Sequence, residues 1–236
     1  MRAIHISRLD GPGAVEVVEV AEPAGDGQVV IDVHAAGVTF PEVLQSRGEY
    51  QMKPPLPFVP GSEVAGVVRS APEGSSLQPG QHVAAFPGIG GFAEVVAADP
   101  TMVFALPDGM SFEAAAALPM NYLTVHFALT RRGHLRERET VLVHGAAGGV
   151  GTAACQLAAA LGAHVIAVVS SDAKAEVAFD EVGTLFGVSS VVQLRKLITG
   201  FGVDFNERVR RLAEFRKAQE VDRATEREYF SAPGRR

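Results

Sequence analysis

Residues 140–151, TVLVHGAAGGVG, constrain the fold of this chain more than any other part of its sequence. The first five of these residues form an apolar, β-branched run, which predicts a buried strand. A glycine cluster follows at once, and residues 152–161 are rich in alanine and leucine, which favours a helix. A strand, a glycine turn and a helix in this order predict a dinucleotide-binding unit, because glycine lets the backbone approach a pyrophosphate closely.

The glycine turn is the predicted cofactor site. The helix behind it offers free N–H groups and the positive end of its dipole to an anion. Its spacing is G-x-x-G-x-x-G rather than G-x-G-x-x-G, so a tight strand-to-helix turn without a ligand is the alternative. The candidate cofactor-binding residues are those of the loop: Gly145, Ala146, Ala147, Gly148, Gly149, Val150 and Gly151.

The residues after the next strand bear on the choice between NADPH and NADH. Residues 164–169, HVIAVV, predict the neighbouring parallel strand. The hydroxyls of Ser170 and Ser171 can hydrogen-bond a 2′-phosphate, and Lys174 can neutralise its charge. Asp172 points the other way, because an acidic residue there holds an unphosphorylated ribose. The sequence therefore favours NADPH, with helix capping by Ser171 or Asp172 as the alternative.

Further segments carry a resemblance to a known family. They are MRAIHI, AGVTFPEVLQSRGEY, PFVPGSEVAGVV, LQPGQHVAAF, GGFAEVVAA and AAALPMNYLTVHFAL, all upstream of the glycine loop. Over residues 1–178 the chain resembles the medium-chain dehydrogenase/reductase superfamily, within it the zinc-free quinone oxidoreductase branch. The resemblance implies an NADPH-dependent enzyme that transfers hydride to a quinone or to an activated carbonyl or alkene.

The resemblance also implies the fold class. It is α/β with a β-rich part: a GroES-like substrate domain over residues 1–125 and an incomplete Rossmann-type parallel-sheet domain over residues 126–178. Short apolar segments between glycine and proline turns agree with a β-rich first domain. Two strands of the parallel sheet are predicted, and residues 188–194, VSSVVQL, fit either a strand or the middle of a helix.

Residues 179–236 are expected to form an atypical charged tail. Four apolar residues there have the spacing of one C-terminal amphipathic helix: Phe205, Val209, Leu212 and Phe215. A tail of this kind does not supply the further parallel strands that a complete dinucleotide domain contains. Activity is therefore uncertain. The alternative function is a non-catalytic or inactive truncated family member that acts at most as a nucleotide-binding or partner-binding module.

Four residues are candidates for contact with the substrate through the resemblance. Thr39 stands where relatives usually carry asparagine, which weakens a catalytic role although a hydroxyl can still donate. Tyr50 matches a tyrosine that lines the pocket. Asn121, Tyr122 and Thr124 match the segment near the nicotinamide, and Asn121 and Thr124 are taken as catalytic candidates. For all of these residues, packing or capping is the alternative.

No metal site is predicted. Zinc-dependent relatives carry a Cys/His/Cys set and a four-cysteine lobe, because ligation needs thiolates or imidazoles at set spacing. This chain has one cysteine, Cys155, which is interpreted as a small buried core residue. Gly61, Ser62 and Glu63 stand where zinc-binding relatives have Gly-His-Glu. Ser62 is a poor replacement for a ligating histidine, and a structural role is expected for Glu63.

Composition limits the partners. The net charge of −6 argues against binding to nucleic acid or to an anionic membrane. No apolar run reaches the length of a membrane span, and the first residues lack the apolar core of a secretion signal. We expect a cytoplasmic protein whose partner is a small-molecule quinone, enone or carbonyl compound. A homodimer and pairing with a full-length relative are both left open.

Overall fold

The computed structural model describes residues 1–171, 173–175 and 190–193. The chain divides into two compact units, Met1–His134 and Leu135–Arg236. The domain boundaries expected at residues 125 and 178 stay predictions. The amphipathic helix predicted in the charged tail lies outside the described residues.

The first unit is built on a five-stranded antiparallel sheet. Its strand order is β6-β3-β4-β5-β7, and β1 and β2 form a separate antiparallel pair. The strands are β1 (Arg2–Ile6), β2 (Val15–Glu19), β3 (Val29–Ala36), β4 (Val64–Ser70), β5 (His82–Ala85), β6 (Val95–Ala98) and β7 (Val103–Ala105).

Three short helices accompany this sheet: α1 (Phe40–Ser46), α2 (Phe112–Ala116) and α3 (Pro119–His126). A π-helical turn, Phe127–Arg132, continues α3, and 3-10 turns lie at Pro12–Ala14 and Pro100–Met102. None of the helices in the described ranges is long and apolar enough to cross a bilayer.

The two faces of the sheet bury different kinds of side chain. Neighbouring residues of a strand point to opposite faces, so Val64 and Val83 join a valine-rich core while Ala65 and Ala84 contact Ala115 of α2. Alanine on this second face lets α2 pack closely against the sheet. Both faces are therefore covered, which agrees with the β-rich first part expected from the sequence.

The second unit contains a parallel sheet in the order β10-β9-β8. Its elements are β8 (Thr140–His144), α4 (Gly149–Ala160), β9 (His164–Val169) and β10 (Ser190–Gln193). The bounds of β8 and β9 are those predicted from the sequence. The alternative left open for residues 188–194 is resolved in favour of a strand over part of that segment, because β10 pairs with residues 166–169 of β9.

The pairing of β3 with β4 leaves no room for a side chain at Gly66. A Cβ atom at this buried position would overlap the Asp32 carbonyl oxygen, which belongs to the backbone and cannot rotate away. We expect Gly66→Ala to lower the free energy of unfolding by about 1–3 kcal/mol, as overpacking does. Urea denaturation measures this change. Gly13→Ala is the matched control, because nothing lies within 4 Å of a Cβ there. Equal stability of both variants would contradict the prediction.

Candidate functional site

The glycine loop between β8 and α4 makes a close turn of the backbone. Gly145 has φ of +66°, in the left-handed region that favours glycine. Gly148 donates its backbone N–H to the Gly145 carbonyl at 2.9 Å. A Cβ atom on Gly151 would overlap that same carbonyl oxygen and approach the Cα atom of Ala146 to 2.8 Å. The loop therefore depends on glycine at both of its ends.

The loop is also tied to the neighbouring strand. Ala146 donates its N–H to the Val168 carbonyl of β9 at 3.2 Å, and Thr152 donates its hydroxyl to the Ala146 carbonyl at 3.3 Å. The Ala146 side chain is completely buried. Its contribution is to hold the loop in place, and the loop backbone carries the N–H donors that a ligand can use.

The first turn of α4 offers hydrogen-bond donors. Gly148 is its N-cap residue and makes no side-chain capping bond. The N–H groups of Gly149, Val150 and Gly151 lie in the first turn, where an α-helix leaves its donors without intrahelical partners. These donors and the helix dipole favour an anion at this end of α4.

A cavity of about 320 Å³ joins the glycine loop to the end of β9. Lys174 lines it and donates from Nζ to the Ser170 hydroxyl at 3.2 Å. Ser171 instead accepts the backbone N–H of Lys174 at 3.4 Å, as an N-cap residue does. Asp172 lies outside the described residues. The cavity is lined by His144, Gly145, Ala147, Gly148, Val168, Val169, Ser170 and Lys174.

Thr39 caps α1. Its backbone N–H and its hydroxyl both donate to Oε2 of Glu42, at 2.8 and 2.5 Å, and the four residues 39–42 form a capping box. The hydroxyl proton of Thr39 is therefore directed at Glu42. This arrangement agrees with the capping alternative considered for Thr39.

The other substrate candidates differ in how their polar atoms are used. Thr124 donates its hydroxyl to the Met120 carbonyl within α3 at 2.7 Å. The half-buried Asn121 amide and Tyr50 hydroxyl make no hydrogen bond with another residue in the part of the chain that the structure describes. Tyr122 lines a separate apolar cavity of about 220 Å³. Asn121 and Tyr50 thus keep donors for a ligand.

The buried carboxylates of Glu42 and Glu63 form hydrogen bonds with residues at or next to these candidates. Oε1 of Glu42 accepts the backbone N–H of Ser62 at 3.2 Å and its hydroxyl at 2.7 Å. Oε2 of Glu63, which is 1% exposed, accepts the backbone N–H of Met120 at 2.7 Å. Burial raises the pKa of Glu63 above its ordinary value of 4.5, the Met120 N–H opposes this, and the Glu42 charge adds to it.

Sequence reasoning did not single out Glu42. The spacing Thr39-x-x-Glu42 is that of a capping box and would have identified its bond to Thr39. Its second bond, to Ser62, joins residues 20 positions apart and follows no local rule. Among the described residues there is no group of three or more His, Cys, Asp or Glu side chains that could hold a metal ion.

The chain is similar to several known proteins. Residues 25–108 match the alcohol dehydrogenase GroES-like domain. A quinone oxidoreductase of Pongo abelii is 35% identical over 212 residues, which are 86% of this chain and 64% of that protein. These matches, with the α/β structures below, confirm the predicted fold class.

Two solved structures share the fold. One is a probable oxidoreductase from Mycobacterium abscessus, with TM-score 0.76 and 48% identity over 85% of this chain and 64% of that one. The other is the quinone oxidoreductase from Thermus thermophilus, solved alone and with NADPH, with TM-score 0.72 and 37% identity over 84% of this chain and 61% of that one. The chain spans less than two thirds of the length of each relative named here.

The buried Glu63 carboxylate makes stability depend on pH. Because its pKa is raised in the folded state, its stabilising contribution is complete below about pH 4.5 and is lost as the pH rises through the folded pKa. We expect the free energy of unfolding of the wild type to fall relative to Glu63→Gln between about pH 4.5 and neutrality. Urea denaturation over a pH series measures the difference. A difference that is constant with pH, or that grows in favour of the wild type, would contradict this.

Cys155 provides a test of how α4 packs. Its side chain is completely buried, as the sequence predicts, and burial raises the pKa of its thiol to about 11. Since the thiolate is the reactive form, we expect no alkylation by iodoacetamide in the native protein at mildly alkaline pH and complete alkylation in denaturant. Mass spectrometry measures both. Native modification at the rate of a free thiol would show that α4 does not pack as described.

Proposed function

Because the chain is, over the residues that these matches cover, a quinone oxidoreductase-like member of the medium-chain dehydrogenase/reductase superfamily, we propose that it is an NADPH-dependent oxidoreductase. Its proposed acceptor is a quinone, an enone or another activated carbonyl compound, reduced without zinc. The observation that carries the proposal is the cavity in which the glycine loop meets Ser170 and Lys174.

The residues of this cavity fit a phosphorylated dinucleotide. The close approach of Gly151 to the Gly145 carbonyl keeps the loop backbone free of side chains at both ends, and the first-turn N–H groups of α4 are available to an anion. We assign the pyrophosphate to the backbone of residues 145–151. We assign the 2′-phosphate to the Ser170 hydroxyl and the Lys174 ammonium, which lie 3.2 Å apart. Ser171 orients this turn by capping it.

The residues on the substrate side position the substrate and form hydrogen bonds with it. Bound NADPH would supply the hydride, which is the hard chemistry of the reaction. We propose that the Asn121 amide and the Tyr50 hydroxyl donate hydrogen bonds to the oxygen atom of the substrate that is reduced. Thr39 and Thr124 direct their hydroxyls at Glu42 and Met120, so their role is to hold α1 and α3 in shape.

Independence from zinc is supported by the use of Ser62. A zinc-binding relative needs a histidine at this position, whereas the Ser62 hydroxyl here is occupied by Glu42 at 2.7 Å. With no metal to polarise the acceptor, hydrogen-bond donors must do so. We also propose that the protein is cytoplasmic and that it associates with a second copy or with a full-length relative.

Nucleotide binding without turnover is the second candidate function. The observation that favours it is that two of the four substrate candidates, Thr39 and Thr124, direct their hydroxyls at Glu42 and at the Met120 carbonyl. Thermal-shift titration with NADPH followed by an absorbance assay of NADPH with a simple quinone separates the two. A shift in melting temperature together with quinone-dependent oxidation supports the enzyme, and a shift without oxidation supports the binding module.

Replacement of Lys174 tests the assignment of the 2′-phosphate. We expect Lys174→Ala to weaken NADPH binding roughly tenfold, a loss of about 1.4 kcal/mol, and to leave NADH binding unchanged, since NADH lacks that phosphate. Calorimetry or quenching of cofactor fluorescence measures both dissociation constants.

The matched control is Lys53→Ala, which removes an exposed lysine from the first unit. It should change neither constant. Equal weakening of NADPH and NADH by Lys174→Ala would overturn the assignment of the phosphate, and no binding of either cofactor to the wild type would overturn the proposed function.

A further inference from the structure

A set of hydrogen bonds, linked through the peptide bond between Ser62 and Glu63, joins two segments that carry substrate candidates. It begins at Thr39, which donates twice to Glu42, and passes from Glu42 to Ser62 through two more bonds. The next residue, Glu63, accepts the N–H of Met120 in the first turn of α3. Residues far apart in the chain are thus connected through two buried carboxylates.

Glu63 takes the place of a capping side chain for α3. The N-cap residue of α3 is Leu118, which has no side-chain capping bond. A carboxylate at the N-terminus of a helix is favourable because it satisfies a free donor and faces the positive end of the dipole. Here that carboxylate comes from a residue 57 positions away, so the position of α3 depends on tertiary contact with Glu63.

The environment of Glu63 leaves its side chain little freedom. Gly37 donates its N–H to the Glu63 carbonyl at 3.1 Å, and a Cβ atom on Gly37 would overlap the carboxylate. Glu63 is therefore enclosed between the segment that leads into α1 and the first turn of α3. Movement of the carboxylate would shift Met120 and, with it, the next residue, Asn121.

We propose that Glu63 is a positioning residue that holds α3, and through it Asn121, in the geometry needed for reduction of the substrate. This inference rests on the proposed function. Glu63 acts through the backbone of Met120 and does not itself touch substrate or cofactor. Positional errors of this kind lower the rate of the chemical step more than they weaken binding, because hydride transfer depends steeply on the alignment of the reacting atoms.

Two replacements separate the hydrogen bond from the charge. Glu63→Met has similar length but no acceptor, and we expect it to lower kcat for NADPH-dependent quinone reduction by about 10- to 100-fold. The dissociation constant for NADPH should not change, and KM for the quinone should change less than kcat. Glu63→Gln keeps a carbonyl oxygen for Met120 and should retain most of the wild-type kcat. Glu73→Met is the matched control on an exposed loop and should have no effect.

Amide hydrogen exchange gives a readout that does not need a folded Glu63→Met protein. The Met120 N–H has no helical partner at its position, so its protection must come from Glu63. We expect slow exchange of this amide in the wild type and in Glu63→Gln.

Three outcomes would overturn the inference and leave the proposed function standing. They are wild-type kcat in folded Glu63→Met, loss of kcat in Glu63→Gln equal to that in Glu63→Met, and exchange of the wild-type Met120 amide at the rate of an unstructured peptide. A wild-type protein that binds NADPH without oxidising it in the presence of quinones would overturn the proposed function, and the inference with it. Active wild type and equally active Glu63→Met would overturn the inference alone.

Discussion

The close approach of two stretches of backbone in the glycine loop is the constraint on which the second unit depends. A side chain at Gly151 would occupy the place of the Gly145 carbonyl oxygen, so the loop can turn into α4 only with glycine there. Because of that turn, α4 begins at the carboxyl end of β8 and directs its free N–H groups past the strand ends. The pyrophosphate contacts proposed for the cofactor follow from this geometry.

In the first unit, the comparable constraint is the burial of two carboxylates, those of Glu42 and Glu63. Carboxylates are rarely buried unless hydrogen bonds compensate for the lost hydration. Glu42 meets this requirement with four donors from Thr39 and Ser62, and Glu63 is bonded to the backbone of α3. The raised pKa of Glu63 shows that compensation there is incomplete.

The sequence predicted the local structure of the candidate site where its residues are close in the chain. The strand, glycine turn and helix around Gly145 lie within about twenty residues, and their periodicity and glycine content predicted the loop. The approach of Lys174 to the same cavity followed from the parallel order of β8 and β9. The third strand stayed open at the level of the sequence because residues 188–194 are too short for their pattern to distinguish a strand from a helix.

The sequence by itself determined the fold class, the resemblance to a family and the glycine turn, because these depend on local conformational preference and on motifs of adjacent residues. Only the tertiary structure decided which polar side chains have free donors. It showed that the hydroxyls of Thr39 and Thr124 are engaged, that Ser62 serves Glu42, and that Glu63 caps α3. Two of these bonds join residues that lie 20 and 57 positions apart, a distance at which no local rule of spacing relates one residue to another. Their partners are set by how the sheet and the helices pack.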